Sequence, residues 1–185
     1  MRRCRSSASR TESGLAGPPT TWRASTTGSS PTVSKRAGRG GREPGGRSAV
    51  AAEIFVDTSA WFPLAVRGDR AHGAVAEALR ERIRRGARVV TTNLVVAETH
   101  ALLLRRTTRA AALAFVAHVG RPPNVLLYST PELEAQAVTD WLERYDDQNF
   151  SFTDAVSFAG MAERGITDAL TLDGHFAAAG FRVVP

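Results

Sequence analysis

After residue 52 the chain alternates short β-branched or apolar runs with longer stretches in which apolar positions return every three or four residues. The first pattern suits strands and the second one-sided helices, and their alternation predicts an α/β fold around a central, mainly parallel sheet. Glu53 to Val56 reads as the first strand. A helix capped by Asp69 follows, with Ala71, Ala74, Val75, Ala78, Leu79 and Ile83 on its inner stripe and its end near Gly86. Arg88 to Thr91 reads as a second strand. Asn93 to Arg106 and Thr107 to Val119 read as a helical hairpin, stopped by Gly120 ahead of Pro122 and Pro123. A third strand covers Val125 to Tyr128. Thr130 and Pro131 then start a helix striped by Leu133, Ala137, Trp141 and Tyr145. Ser151 caps the next helix, which places Phe152, Ala155, Val156, Ala159 and Ala162 inward and stops at Gly165. Ala169 to Leu172 and Arg182 to Val184 complete the strands, with a short helix from His175 to Ala179 between them.

Charge divides this picture in two. Residues 1–52 hold ten Lys or Arg against two Glu, a charge of +8, whereas the remaining 133 residues hold 14 basic against 16 acidic residues, a charge of −2. The high isoelectric point therefore belongs to the first segment, and RNA affinity in the remainder has to come from local patches. Residues 1–52 are rich in Ser, Thr, Gly, Pro and Arg with few large apolar residues, a composition expected to stay disordered. They read as a solvated extension, a mistaken upstream start or an RNA-binding arm. Their Arg- and Ser-rich composition superficially fits a transit peptide, but an amphipathic stripe is missing. The 133 residues from Glu53 onward suffice for one core. No run of 18 apolar residues predicts a membrane span, and no charged-then-apolar signal opens the chain, so the expectation is a soluble, cytoplasmic protein. The single cysteine, Cys4, excludes a disulfide framework or a zinc–thiolate cluster within one chain.

Candidate chemistry lies in four acids, each beside an apolar segment: Asp57 after the first strand, Glu98 in an apolar helix, Asp154 after Ser151-Phe152-Thr153, and Asp173 in Thr171-Leu172-Asp173-Gly174-His175-Phe176. Each has an ordinary explanation. Asp57 suits a helix cap, Asp154 a capping box with Ser151, and Asp173 a turn before Gly174. Glu98 suits an ion pair to Arg105 or Arg106, because an unpaired buried carboxylate is costly. Parallel sheets bind ligands where the carboxyl ends of their strands open into a crevice, and Asp57 and Asp173 lie at such ends. Converging carboxylates there suit a hard divalent cation and metal-assisted phosphodiester cleavage.

Asp168 reads as a solvated turn, and Asp146 and Asp147 as an exposed helix end. His72, His100 and His118 read as structural, whereas His175 suits contact with substrate or shaping of its loop. Trp61 and Phe62 suit core or a partner surface. The run Arg82, Arg84, Arg85 and Arg88 reads as a solvated face, and Arg105, Arg106 and Arg109 as a possible phosphate contact.

Taken in order, Asp57-Thr58-Ser59-Ala60, Val95-Val96-Ala97-Glu98, Ser151-Phe152-Thr153-Asp154 and Thr171-Leu172-Asp173-Gly174-His175-Phe176 resemble the motifs of the PIN-domain ribonucleases, and among them the VapC toxins of bacterial toxin–antitoxin pairs. The resemblance covers residues 53–185. It implies a three-layer α/β/α, Rossmann-like domain that cleaves RNA with Mg²⁺ or Mn²⁺ held by Asp57, Glu98, Asp154 and Asp173, with Thr58, Ser59 or Thr153 supporting from behind. It also implies an antitoxin partner and a homodimer formed near Trp61 and the hairpin. Two other readings stand beside it. One is a metal-dependent phosphatase or phosphotransfer domain, which the serine at position 59 disfavours because the second acid of an Asp-x-Asp pair is missing. The other is a non-catalytic α/β module that binds RNA or protein.

Overall fold

Five strands, all parallel, lie in the order β3-β2-β1-β4-β5 in the computed structural model, which describes residues 52–184. They are β1 (Glu53–Val56), β2 (Arg88–Thr92), β3 (Val125–Leu127), β4 (Asp168–Leu170) and β5 (Arg182–Val184). β1 is the central strand, with Phe55 opposite Val90 on one side and Ala169 on the other. The chain builds outward from β1 to β3 and then returns to β4 on the other flank of β1. That reversal makes the gap between β1 and β4 the topological switch point, where neighbouring connections leave in opposite directions and a crevice opens.

The helices that flank the sheet are α1 (Thr58–Ala65), α2 (His72–Arg84), α3 (Asn93–Arg106), α4 (Arg109–Val119), α5 (Pro131–Ala137), α6 (Phe152–Arg164) and α7 (His175–Ala178). Together with the sheet they form the expected three-layer architecture. Side-chain caps start several of them as the sequence predicts: Thr130 accepts from the Leu133 amide, and Ser151 from the Asp154 amide. α6 ends at Gly165, whose φ of 67° suits glycine because it has no Cβ to clash.

The core is aromatic. Phe158 of α6 meets Phe176 at 4.9 Å, Phe150 at 5.1 Å and Trp141 at 5.2 Å between ring centroids. Phe55 stacks on Phe176 at 5.9 Å and ties the cluster to the central strand. Trp61 is buried, and its indole N–H donates to Thr91 Oγ1, which in turn donates to the Val56 carbonyl. Trp61 is therefore part of the core.

Several expectations give way to tertiary packing. Phe152 is 43% exposed and Ala162 is also exposed, although the helical stripe had placed both inside. On α2 the buried pair is Val75 and Ala76, whereas Ala74 and Ile83 face solvent. α4 begins at Arg109 behind a Thr108 cap, and α5 continues into a π-helical stretch, Val138–Glu143, that no sequence signal announced. The third strand stops at Leu127 and the fourth begins at Asp168.

Asp168 is the largest correction. Expected as a solvated turn, it is 5% exposed and paired with Arg82 and Arg182. Arg82 thus leaves the run expected to be merely a solvated face. Glu53, on neighbouring β1, is held in the same way by Arg88 and by both Nε and Nη2 of Arg164. The hydrogen bond from Arg164, joined by its charge and by the hydrogen bond and charge of Arg88, outweighs desolvation and keeps the Glu53 carboxyl below the usual range. Both acids sit at the amino ends of their strands. No described helix is long and apolar enough to cross a membrane. The disorder expected of residues 1–52, and Cys4 within them, lies outside the described residues apart from Ala52.

Candidate metal centre

Asp57 and Asp173 follow the carboxyl ends of β1 and β4, and side-chain contacts from these ends reach Glu98 on α3 and Asp154 on α6. Asp57 follows β1 directly. Its extended backbone (φ −92°, ψ 167°) makes it the N-cap of α1, so the capping explanation is correct as far as it goes. It does not account for the rest of its surroundings. Asp57 is 5% exposed, and its Oδ2 accepts from the Ser59 amide (3.0 Å), Ser59 Oγ (2.8 Å) and Thr171 Oγ1 (3.2 Å). Burial nevertheless pushes its pKa up, because desolvation outweighs these donors, and the charge of Asp154 pushes the same way.

Thr171 joins the acids following β1 and β4. Besides donating to Asp57, its hydroxyl accepts the Asp173 amide at 3.0 Å and lies 3.0 Å from Ser59 Oγ. Ser59 Oγ also accepts the Leu172 amide at 2.8 Å. Two hydroxyls thus lock the ends of adjacent strands to each other across more than a hundred residues of sequence.

Asp154 occupies the first turn of α6. Its Oδ2 accepts the Ser151 amide at 2.9 Å while Ser151 Oγ accepts the Asp154 amide at 3.0 Å, which completes the predicted capping box. The same Oδ2 lies 3.3 Å from His175 Nδ1. That nitrogen is also 3.6 Å from Asp173 Oδ1, which accepts the His175 amide at 2.9 Å. Ligand atoms of Asp154, Asp173 and His175 all lie within 4.8 Å of one another. Substrate contact and loop shaping are both open to His175 by sequence, and its spacing from Asp173 is the one local signal of its place in this cluster.

Glu98 departs from expectation. It is exposed, and its partner is Thr58 rather than Arg105 or Arg106: Thr58 Oγ1 donates to Oε2 at 2.9 Å. Thr58 follows Asp57 in the chain, so this bond brings α3 to the edge of the same site. Asp57 and Glu98 stand outside the tight three-residue cluster, Asp57 coupled to it through Thr171 and the charge of Asp154. Arg105, Arg106 and Arg109 are exposed on the hairpin.

A contrast between the two ends of the sheet defines the electrostatics. Glu53 and Asp168 at the amino ends are each matched by two arginines. Among the described residues, none of the four acids at the carboxyl ends is salt-bridged to Lys or Arg; only His175 pairs with two of them. Carboxylates gathered without a countercharge are costly unless a cation joins them. The donor set, carboxylate oxygens with one imidazole, suits a divalent ion.

The PIN domain family model matches residues 54–182. The 23S rRNA-specific endonuclease VapC20 of Mycobacterium tuberculosis, from strains CDC 1551 / Oshkosh and H37Rv alike, is 43% identical over 128 residues, or 69% of this chain and 95% of that protein. The crystal structure of M. tuberculosis VapC20, described as a sarcin-ricin loop cleaving toxin, superposes with a TM-score of 0.65 at 41% identity, covering 71% of this chain and 99% of the other. VapBC2 from Rickettsia felis, bound to a promoter DNA fragment, superposes with a TM-score of 0.54 at 9% identity over 71% of this chain and 96% of the other, a likeness of fold alone.

Proposed function

The chain belongs to the PIN-domain family, and on that premise we propose that it is a Mg²⁺- or Mn²⁺-dependent endoribonuclease and the toxin of a toxin–antitoxin pair. The observation that carries the reading is the set of acids at the carboxyl ends of the strands, uncompensated by arginine where the acids at the opposite ends are each paired twice. Asp57, Glu98, Asp154 and Asp173 are the proposed metal-binding and catalytic residues. The bound cation supplies Lewis acidity, activating water and neutralising charge that develops on phosphate oxygens.

The chain's own residues supply the positioning. Ser59 and Thr171 hold the Asp57 carboxylate, Thr58 holds Glu98, and the Ser151 amide holds Asp154. Fixing the carboxylates in advance reduces the reorganisation required when the phosphodiester enters. Thr153 is engaged through its backbone carbonyl, which accepts from Ser157.

Structured RNA, ribosomal RNA in particular, is the proposed substrate, by extension from the relative named for 23S rRNA. A cognate antitoxin and a homodimer are the proposed partners. The exposed apolar side chains Leu104, Leu113 and Val116 on the α3–α4 hairpin support a protein-binding face there. The phosphatase reading loses further ground, because the Ser59 hydroxyl at the position of a second acid is spent on Asp57 and the Leu172 amide. A cytoplasmic site of action follows from the RNA substrate.

Purified protein is expected to cut a ribosomal RNA hairpin with Mn²⁺, to stop with chelator, and to leave a small phosphate ester intact. Loss of cutting in Asp57→Ala and Asp154→Ala, with folding preserved, completes the expectation. Chelator-resistant cutting that survives both substitutions would refute it.

A further inference from the structure

We propose that the imidazole of His175 is itself a ligand of the divalent cation, so that the centre is a mixed nitrogen and oxygen site. The inference rests on the metal-dependent reading above and deepens it.

His175 Nδ1 lies 3.3 Å from Asp154 Oδ2 and 3.6 Å from Asp173 Oδ1. The nitrogen thus faces oxygens of both carboxylates at once, and a single bound cation could be shared among the three. Octahedral ligands with bonds of about 2.1 Å lie about 3.0 Å apart at adjacent positions and about 4.2 Å apart at opposite ones. Measured against those spacings, 3.3 and 3.6 Å correspond to adjacent corners opened by a few tenths of an ångström.

The ring is also placed in advance. His175 opens α7 and its amide is bound to Asp173 Oδ1. The imidazole meets the Phe150 ring edge-on at 5.5 Å and 74°, and Phe150 is anchored in turn against Phe158. Rotation of the ring away from the carboxylates would give up that aromatic contact. With Nδ1 as ligand, the ring proton resides on Nε2. An imidazole donor shifts preference from Mg²⁺ toward transition ions, because nitrogen suits them better than it suits magnesium.

Pulsed electron paramagnetic resonance on the full chain loaded with Mn²⁺ tests the assignment directly. The expected spectrum shows the hyperfine coupling of a directly bound imidazole nitrogen, altered by ¹⁵N-histidine labelling and lost in both His175→Gln and His175→Ala. Mn²⁺ affinity is expected to fall at least about tenfold in these variants, given that loss of even an outer partner of a ligand costs about 10–100-fold. Mg²⁺ affinity should fall less. Bound Mn²⁺ without that coupling, or coupling that survives both substitutions, would overturn the assignment and leave the metal-dependent reading intact. Wild-type protein that binds no Mn²⁺ would overturn both.

Discussion

Replacing Asp154 with asparagine should stabilise the metal-free protein and destabilise the metal-loaded one, relative to wild type under each condition. Ligand atoms of Asp154 and Asp173 lie within 4.8 Å of each other. Two unit charges at that distance repel by about 3 kcal/mol at an effective dielectric of about 20. Because the Asp173 side chain is 38% exposed, solvent screening reduces this to about 1 kcal/mol. Asparagine removes the repulsion and keeps an oxygen to accept the Ser151 amide, so the α6 cap survives. For a domain of this size, that gain amounts to about 3–5 °C in Tm in chelator. Mn²⁺ at a hundred times its Kd stabilises wild type by about 2.7 kcal/mol, or about 10 °C by the same scaling. Asp154→Asn, deprived of a charged ligand, should gain only a small part of that. Thermal melts in chelator and in saturating Mn²⁺ should therefore reverse the order of the two proteins. A variant that melts below wild type in chelator and rises equally with Mn²⁺ would show that Asp154 is only a helix cap.

Asp57 has a pKa raised by burial first and by the charge of Asp154 as well. The folded state therefore binds its proton more tightly than the unfolded chain, and metal-free stability should increase as pH falls through the raised folded pKa toward the unfolded value near 3.8. The Tm of wild type relative to that of Asp57→Asn should rise as pH falls through this window. Asp168→Asn leaves Arg82 and Arg182 without their shared acid; breaking a buried pair costs about 3–5 kcal/mol, reduced to about 2 here because Arg182 is largely exposed. Urea unfolding measures that loss, while RNA cleavage by the folded fraction should stay unchanged. Phe158→Ala, which empties the centre of the aromatic cluster, should cost about 3–5 kcal/mol, and calorimetry that finds less than about 1 kcal/mol would mean that the cluster closes around the gap.

The strands, the α3 helix from Asn93 to Arg106 and the Ser151 cap were legible because their signals lie within a few neighbouring residues. Side-chain periodicity and capping are local chemistry. The same locality explains the failures. Nothing near Asp168 announces that arginines 86 residues before it and 14 after it bury and neutralise it. Helical spacing placed Phe152 inward, yet the first turn of α6 projects it to solvent. The apolar neighbours of Glu98 suggested burial, but α3 packs through Val95, Thr99 and Leu103 and turns Glu98 outward toward Thr58.

By itself the sequence placed Asp57 at the end of the first strand, since a carboxylate just past a short apolar run is placed there by the run. Only the tertiary structure decided which acids are neutralised and which are left to share a cation. Strand order brings β1 and β4 side by side, and Thr171 then reaches Asp57 across 114 residues. Charge compensation is a property of distance in space, and pairing among strands far apart in the chain sets that distance.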